Sequence, residues 1–332
     1  MKTDALDSLT FLEFGSINLN NSSKSIWDFR LHQEAYDFFM LARYMKDLMI
    51  FRKLAREGTT QTLADGLRDY KAGVYTQDIY NSFTKLAALH IAATELAGGT
   101  APRFVELGST LMGCIDAIRY LQIAGGATDP NFSGLDLHQV DWCGIDISQL
   151  LNDVAEALYP SYSLATSLHH EAFAGNADVF FAKGVSLLYA FEREEQLIDY
   201  LVRSRIAIFD YSFALGDKQR EILGTGKPVT YLSLSGVMQG LRDRASGKEL
   251  FFDEQTLQLD RSKNRIRTLC YCGEPKTVHR TVAEERRLRG IVLNQLPVSE
   301  LRALLFYGGK ESASMESVRS GADVLERLKA DG

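Results

Sequence analysis

Arg103-Phe-Val-Glu-Leu-Gly-Ser-Thr-Leu-Met-Gly113 is the stretch on which the reading of this chain turns. Phe104, Val105 and Leu107 form a short apolar run that predicts a buried strand, set off upstream by Gly98, Gly99 and Pro102. Glu106 and Gly108 close the strand, and Leu111, Ile115, Ile118 and Leu121 recur beyond it at helical spacing. A strand, a tight glycine turn and a helix open a nucleotide-binding βαβ unit. The glycine lets backbone approach a ligand, and the helix N-terminus offers unpaired N–H groups. Many α/β proteins place a glycine after a strand, so the stretch takes its meaning from its surroundings.

Downstream, strand and helix signals alternate. Val140-Asp-Trp-Cys-Gly-Ile-Asp-Ile-Ser148 predicts a second strand ending at Asp146, with Ser148 as the N-cap of a helix through Leu150, Leu151, Val154, Ala155 and Leu158. An acidic residue at that strand end suits ribose hydroxyls, usually about 20 residues past the glycine turn. Here Asp146 lies 38 residues past Gly108, and the Gly- and Asp-rich segment Gly125–Gln139 reads as the insertion that accounts for the excess. A third strand is expected near Ser161–Leu168, before His169, His170 and Glu171. A fourth is expected at Ala177-Asp-Val-Phe-Phe-Ala-Lys-Gly184, and a fifth at Arg205–Tyr211. Short apolar strands alternating with helices imply a mainly parallel sheet covered on both faces. Leu250–Asp253, Arg265–Cys272 and Ala303–Tyr307 read as strands extending it, while Val229–Leu241 is compatible with strand or helix.

Upstream, residues 1–23 read as a polar arm. Helical periodicity covers Ser25–Glu57, Thr62–Tyr70 and Asp78–Leu96. The tyrosines there (Tyr36, Tyr44, Tyr70, Tyr75, Tyr80) could line a pocket or simply pack helices. His90, between Leu89 and Ile91, reads as a core histidine. Ser312–Gly332 has the pattern of an amphipathic surface helix.

The 332 residues are 45% hydrophobic and 24% charged, the composition of an ordinary globular protein. A net charge of −6 argues against a general nucleic-acid surface. No apolar run reaches the roughly 18–20 residues of a membrane-spanning helix, and Met1-Lys-Thr-Asp-Ala-Leu-Asp does not read as a secretory signal. Cys114, Cys143, Cys270 and Cys272 fit no zinc spacing and read as reduced, buried thiols, so a cytoplasmic protein without a metal is expected. The basic run Arg261–Arg267 reads as a solvated hairpin or as a holder of an acidic substrate.

With these elements in place the chain resembles a class I S-adenosylmethionine-dependent methyltransferase, of no identified subfamily. Phe-Val-Glu-Leu-Gly (104–108) resembles the family's first motif and Gly-Ile-Asp-Ile-Ser (144–148) its second. Residues 177–189 are similar to its fourth strand and the following loop. The resemblance covers Pro102–Tyr211. It implies a Rossmann-like, mainly parallel seven-stranded sheet with helices on both faces. Residues 1–98 would form a helical cap or lid, 99–215 the S-adenosylmethionine-binding core, and 216–332 the part completing the sheet and the substrate side.

The implied activity is methyl transfer from S-adenosyl-L-methionine to an oxygen or nitrogen of a small-molecule acceptor of specialised metabolism, with neither nucleic acid nor membrane as partner. The implied cofactor residues are Glu106, Gly108, Ser109, Thr110, Gly113, Asp146, Ile147, Glu171, Lys183 and Gly184. One departure stands out: where the family's first motif commonly has glycines, this chain has Thr110 and Met112, and Gly113 follows one residue late. His169 and His170 are candidate bases by intrinsic pKa, and Asp210 and Tyr211 are candidates on the acceptor side. Two alternatives stay open. One is an NAD-dependent oxidoreductase, against which stands the missing G-x-G-x-x-G. The other is a non-catalytic protein of the same fold, its helical segment serving as a homodimer or docking surface.

Overall fold

The computed structural model describes residues 41, 73–96, 100–126, 129, 134–173, 177–182, 184–222, 228–253 and 256–293. The helices expected before residue 73, Lys183, the strand expected at 303–307 and the helix expected at 312–332 lie outside the described residues. The strands are β1 (Arg103–Leu107), β2 (Asp141–Ile145), β3 (Ser163–Ser167), β4 (Val179–Ala182), β5 (Ile206–Ala214), β6 (Gln219–Ile222), β7 (Pro228–Tyr231), β8 (Glu249–Phe252), β9 (Gln258–Asp260) and β10 (Arg265–Gly273). The helices are α1 (Gly73–Glu95), α2 (Cys114–Gly126), α3 (Gln149–Leu158), α4 (Gly184–Ala190), α5 (Glu194–Arg203), α6 (Leu234–Arg244) and α7 (Pro275–Leu293).

The main sheet runs β3-β2-β1-β4-β5-β10-β8, with β9 as an eighth strand on β10. Strands β3, β2, β1, β4 and β5 are mutually parallel, and β10 enters antiparallel to β5. This is a mainly parallel, Rossmann-like sheet, as expected. The inner parallel strands β1, β2, β4 and β5 are largely buried on both faces because helices cover both, while the edge strand β3 (Ser-Leu-Ala-Thr-Ser) is polar and partly exposed. On β4, Val179 and Phe181 enter one core, Phe180 and Ala182 the other, and all four are buried. The first core packs β1 and β4 beneath α1, α2, α3 and α7. The second packs the opposite face beneath α4, α5 and α6.

Local signals account for the element ends. Ser148 caps α3, its hydroxyl accepting from the Leu151 N–H at 3.2 Å, as its sequence position predicts. Val229–Leu241, ambiguous in sequence, divides into β7 and α6 at Ser233, whose hydroxyl accepts from Gly236 N–H. The segment expected as an insertion, 125–139, begins with the last residues of α2, and its far end is a 3-10 turn at Leu137–Gln139. The basic run Arg261–Arg267 forms the turn of the β9–β10 hairpin and the start of β10.

Helix α1 is buried on all sides from Ser82 to Leu89, between β4, α2 and α7. Of the segment expected as a cap, the described helix therefore shares a core with the sheet. The four cysteines are buried and none is in a disulfide among the described residues; Cys270 and Cys272 enter the same core from one face of β10, as the i, i+2 spacing requires.

Candidate functional site

The sheet order locates the site. From β1 the chain proceeds outward through β2 to β3, then returns to place β4 on β1's other side. In open α/β sheets such a switch point leaves a crevice at the carboxyl ends of the two strands, where ligands bind. Here those ends are Glu106–Leu107 and Phe181–Ala182, with Glu106 paired to Phe181 in register.

The turn that follows β1 is built on left-handed backbone. Gly108 has φ 78°, and Thr110 and Met112, standing where the resembling family has glycines, have φ 54° and 52°. The left-handed alternation is thus present without the glycines. It costs roughly 1–2 kcal/mol at each L-residue, and Thr is β-branched besides. Three features hold the turn in this shape. Gly108 N–H and Ser109 N–H both donate to Ile145 O at the end of β2 (2.8 and 3.1 Å), and Met112 N–H donates to Ser109 O (2.9 Å). Asp146 Oδ2 accepts from Thr110 N–H at 3.1 Å, while its Oδ1 accepts from Ser148 N–H at 3.1 Å. Met112 and Ser109 also rest on Gly144: a Cβ there would lie 2.8 Å from Ser109 Oγ and 3.0 Å from Met112 Sδ. Only a residue without a side chain lets the turn approach β2 this closely.

Glu106 is 3% exposed and points beneath α1. Its Oε1 lies 2.7 Å from Lys85 Nζ, which is itself 4.3 Å from the centre of the Phe181 ring. Glu106 Oε2 and Ser109 Oγ are buried and have no hydrogen-bond partner among the described residues. Such atoms are uncommon in native proteins, and each calls for an explanation. Lys85 was missed in sequence. The signal was one lysine inside the apolar run Phe83-Thr-Lys-Leu-Ala-Ala-Leu89, where a surface helix would place a hydrophobe.

The cofactor residues expected from sequence divide as follows. Glu106, Gly108, Ser109, Thr110 and Asp146 converge on the turn. Gly113 immediately precedes α2, Gly184 opens α4, and Ile147 is half-exposed beside Asp146. Lys183 lies outside the described residues. Glu171 is exposed in a 3-10 turn, paired with His170 Nε2 at 3.2 Å.

The expected acid–base residues do not converge. His170 turns onto the α5 face. Tyr200 OH donates to its carbonyl, the imidazole meets Phe191 edge-on at 5.4 Å, and burial holds it below the usual histidine range. The same 3-10 turn ends with Phe173, whose ring lies 5.8 Å from the Arg103 guanidinium at the amino end of β1. Asp210 and Tyr211 do not end their strand, because β5 continues to Ala214. They face opposite ways: Asp210 is held by Arg267 (Nε 3.0 Å), and Tyr211 OH donates to Thr230 O and accepts from Leu232 N–H. Burial pushes that phenol well above its usual range. These three side chains are thus held in separate places and do not gather at one site. His169 is exposed just past β3, its imidazole without a hydrogen-bond partner among the described residues. Among the described residues no three His, Cys, Asp or Glu side chains gather as for a metal, and no helix is long and apolar enough to cross a membrane.

No family model and no curated protein matches the chain. Solved structures do. The N-terminal domain of EvdMO1 with SAH bound is 13% identical, with a TM-score of 0.38, over 58% of this chain and 80% of that one. A putative S-adenosylmethionine dependent methyltransferase from Listeria monocytogenes is 12% identical, with a TM-score of 0.33, over 57% and 98%. The O-methyltransferase of a trans-AT PKS multienzyme of Brevibacillus brevis, in complex with S-adenosyl-L-homocysteine, is 8% identical, with a TM-score of 0.35, over 68% and 86%. The fold described here rests on the strand order and registers of this chain itself.

Proposed function

We propose that this protein is an S-adenosylmethionine-dependent methyltransferase that moves a methyl group to an oxygen or nitrogen of a small molecule of specialised metabolism. One observation carries the reading. The switch-point turn has its N–H groups at 108, 109, 110 and 112 taken within the chain, while a buried carboxylate oxygen and a buried hydroxyl have no hydrogen-bond partner among the described residues. A dinucleotide's pyrophosphate needs free N–H donors at this turn. An adenosyl sulfonium instead brings cationic and hydroxyl donors, which suit Glu106 and Asp146. The same observation disfavours an NAD-dependent oxidoreductase.

In this reading Glu106 and Ser109 meet the amino-acid end, Asp146 meets the ribose, and the half-exposed Ile147 packs on the adenine. Asp146 has a second task, since it closes the turn through Thr110 N–H. The bound cofactor supplies the electrophilic methyl group. The chain's part is to hold the acceptor in line with it, and alignment alone can lower such a barrier by several kcal/mol. His169, at the carboxyl edge beyond β3, is the group we assign to take the acceptor's proton. Titration calorimetry with S-adenosylhomocysteine and with NAD tests the reading. Binding of the first and not the second is expected; binding of NAD alone, or of neither, overturns it.

A further inference from the structure

The buried lysine of α1 is unexplained by the fold. A lysine that is 4% exposed loses its hydration at a large cost unless its partners compensate, and an apolar residue of similar length would fill the same space. Its partners are the two residues that face each other across the switch point: Glu106 of β1 at 2.7 Å and the ring of Phe181 of β4 at 4.3 Å. The ion pair occupies only one carboxylate oxygen and leaves Oε2 buried without a hydrogen-bond partner among the described residues. A pair serving stability alone would have both oxygens satisfied, as Glu285 has on the same face of the sheet. There Oε1 accepts from Thr84 and Oε2 from Tyr271, both at 2.9 Å.

We propose that Lys85 is a positioning residue for ligand recognition. Its ammonium holds Glu106 by one oxygen and so presents the other to the ammonium of a ligand's amino-acid end. The inference rests on the reading of the site proposed above and deepens it. The site offers the ligand one fixed positive and one fixed negative charge. The head group it selects is therefore a zwitterion, with an ammonium for Glu106 and a carboxylate for the side of Lys85. Helix α1 is coupled to the amino-acid half of the cofactor and not to its nucleoside half.

The test measures two ligands on the full chain: S-adenosylhomocysteine, and 5′-methylthioadenosine, which lacks the amino-acid end. Lys85→Met is expected to weaken S-adenosylhomocysteine roughly 10- to 100-fold while leaving methylthioadenosine unchanged. Lys85→Arg, which restores the cation, is expected to recover most of the loss. Should Lys85→Met not fold, the comparison moves to Glu106→Gln and Lys85→Met/Glu106→Gln. With no carboxylate to position, these two are expected to bind S-adenosylhomocysteine alike.

Equal weakening of both ligands by Lys85→Met, or no weakening of either, overturns the inference, as does a further loss in the double variant over Glu106→Gln. If the parent binds S-adenosylhomocysteine and Glu106→Gln weakens it while Lys85→Met does not, the inference falls and the proposed function stands. If the parent binds neither ligand, both fall.

Discussion

The two ends of the central sheet treat polar groups in opposite ways. At the amino ends of the parallel strands, charges are matched. Asp178, just before β4, accepts from Arg103 N–H at 2.9 Å and faces Arg205 Nε at 3.4 Å. Glu95, which ends α1, takes Arg280 at 2.7 Å, Thr277 Oγ1 at 3.2 Å and Arg205 at 3.5 Å. At the carboxyl ends, a carboxylate oxygen and a hydroxyl are buried without a hydrogen-bond partner among the described residues, and two L-residues hold left-handed backbone. At the amino end the buried Arg103 Nε also lacks a hydrogen bond among the described residues, yet it lies 3.4 Å from Asp141 Oδ2. The carboxyl end combines unpartnered oxygens with left-handed backbone. Strain and missing partners at a single place persist only where the surroundings enforce them, and such places are where ligands bind. The contrast agrees with the proposed reading, in which one edge serves stability and the other recognition.

That contrast can be broken in several ways. The largest effect is expected from His169→Ala at the carboxyl edge. It should lower kcat by about 10²–10⁴ with an acceptor that turns over, while S-adenosylhomocysteine affinity by calorimetry stays at the parent value. A kcat near that of the parent would remove His169 from the chemistry. A matched pair of glycines comes next. A Cβ at Gly144 meets Ser109 and Met112, and a Cβ at Gly273 meets the Arg205 carbonyl at 2.9 Å. Each alanine variant is expected to lose about 1–3 kcal/mol in urea unfolding, yet only Gly144→Ala should weaken S-adenosylhomocysteine. Loss of affinity in both would dissolve the distinction between the edges.

Smaller still is Asp178→Asn, expected to cost about 1–2 kcal/mol of stability with ligand affinity unmoved. The smallest effect belongs to neither edge. Glu284 of α7 is held down to about 2, first by hydrogen bonds from Arg287 and then by His90. Its folded value is depressed, so its contribution is complete above the ordinary value of 4.5 and is lost as pH falls toward 2. For a pair so near the surface this amounts to about 0.5 kcal/mol. Between pH 5 and pH 3 the urea midpoint of the parent should fall slightly more than that of Glu284→Gln. Equal falls would show that the pair contributes nothing.

Where the sequence misled, the cause was distance along the chain. His170 follows a strand at the edge where ligands bind, and local reasoning places it there. Its turn instead runs back along the α5 face because Phe173 packs there and Tyr200, 30 residues on, holds the His170 carbonyl. Asp210 and Tyr211 look like a strand end because the pattern loosens after them. Pairing with β10 along the whole strand carries β5 on to Ala214, and the partners that occupy both side chains come from Arg267, Thr230 and Leu232. Lys85 and Glu106 are 21 residues apart and on different elements, so no periodicity could pair them.

The sequence by itself determined the alternation of buried strands and helices, the glycine turn after β1, the acid ending β2 and the cap of α3. These depend on the period of apolar residues and on single turn or capping residues, which act within a few positions. Only the tertiary structure decided three things: that Thr110 and Met112 take the backbone of glycines, that the acid–base candidates part company, and that a lysine from α1 reaches under the switch point. Each depends on contacts between segments far apart in the chain, and packing between such segments can impose a conformation or burial that local preference would refuse.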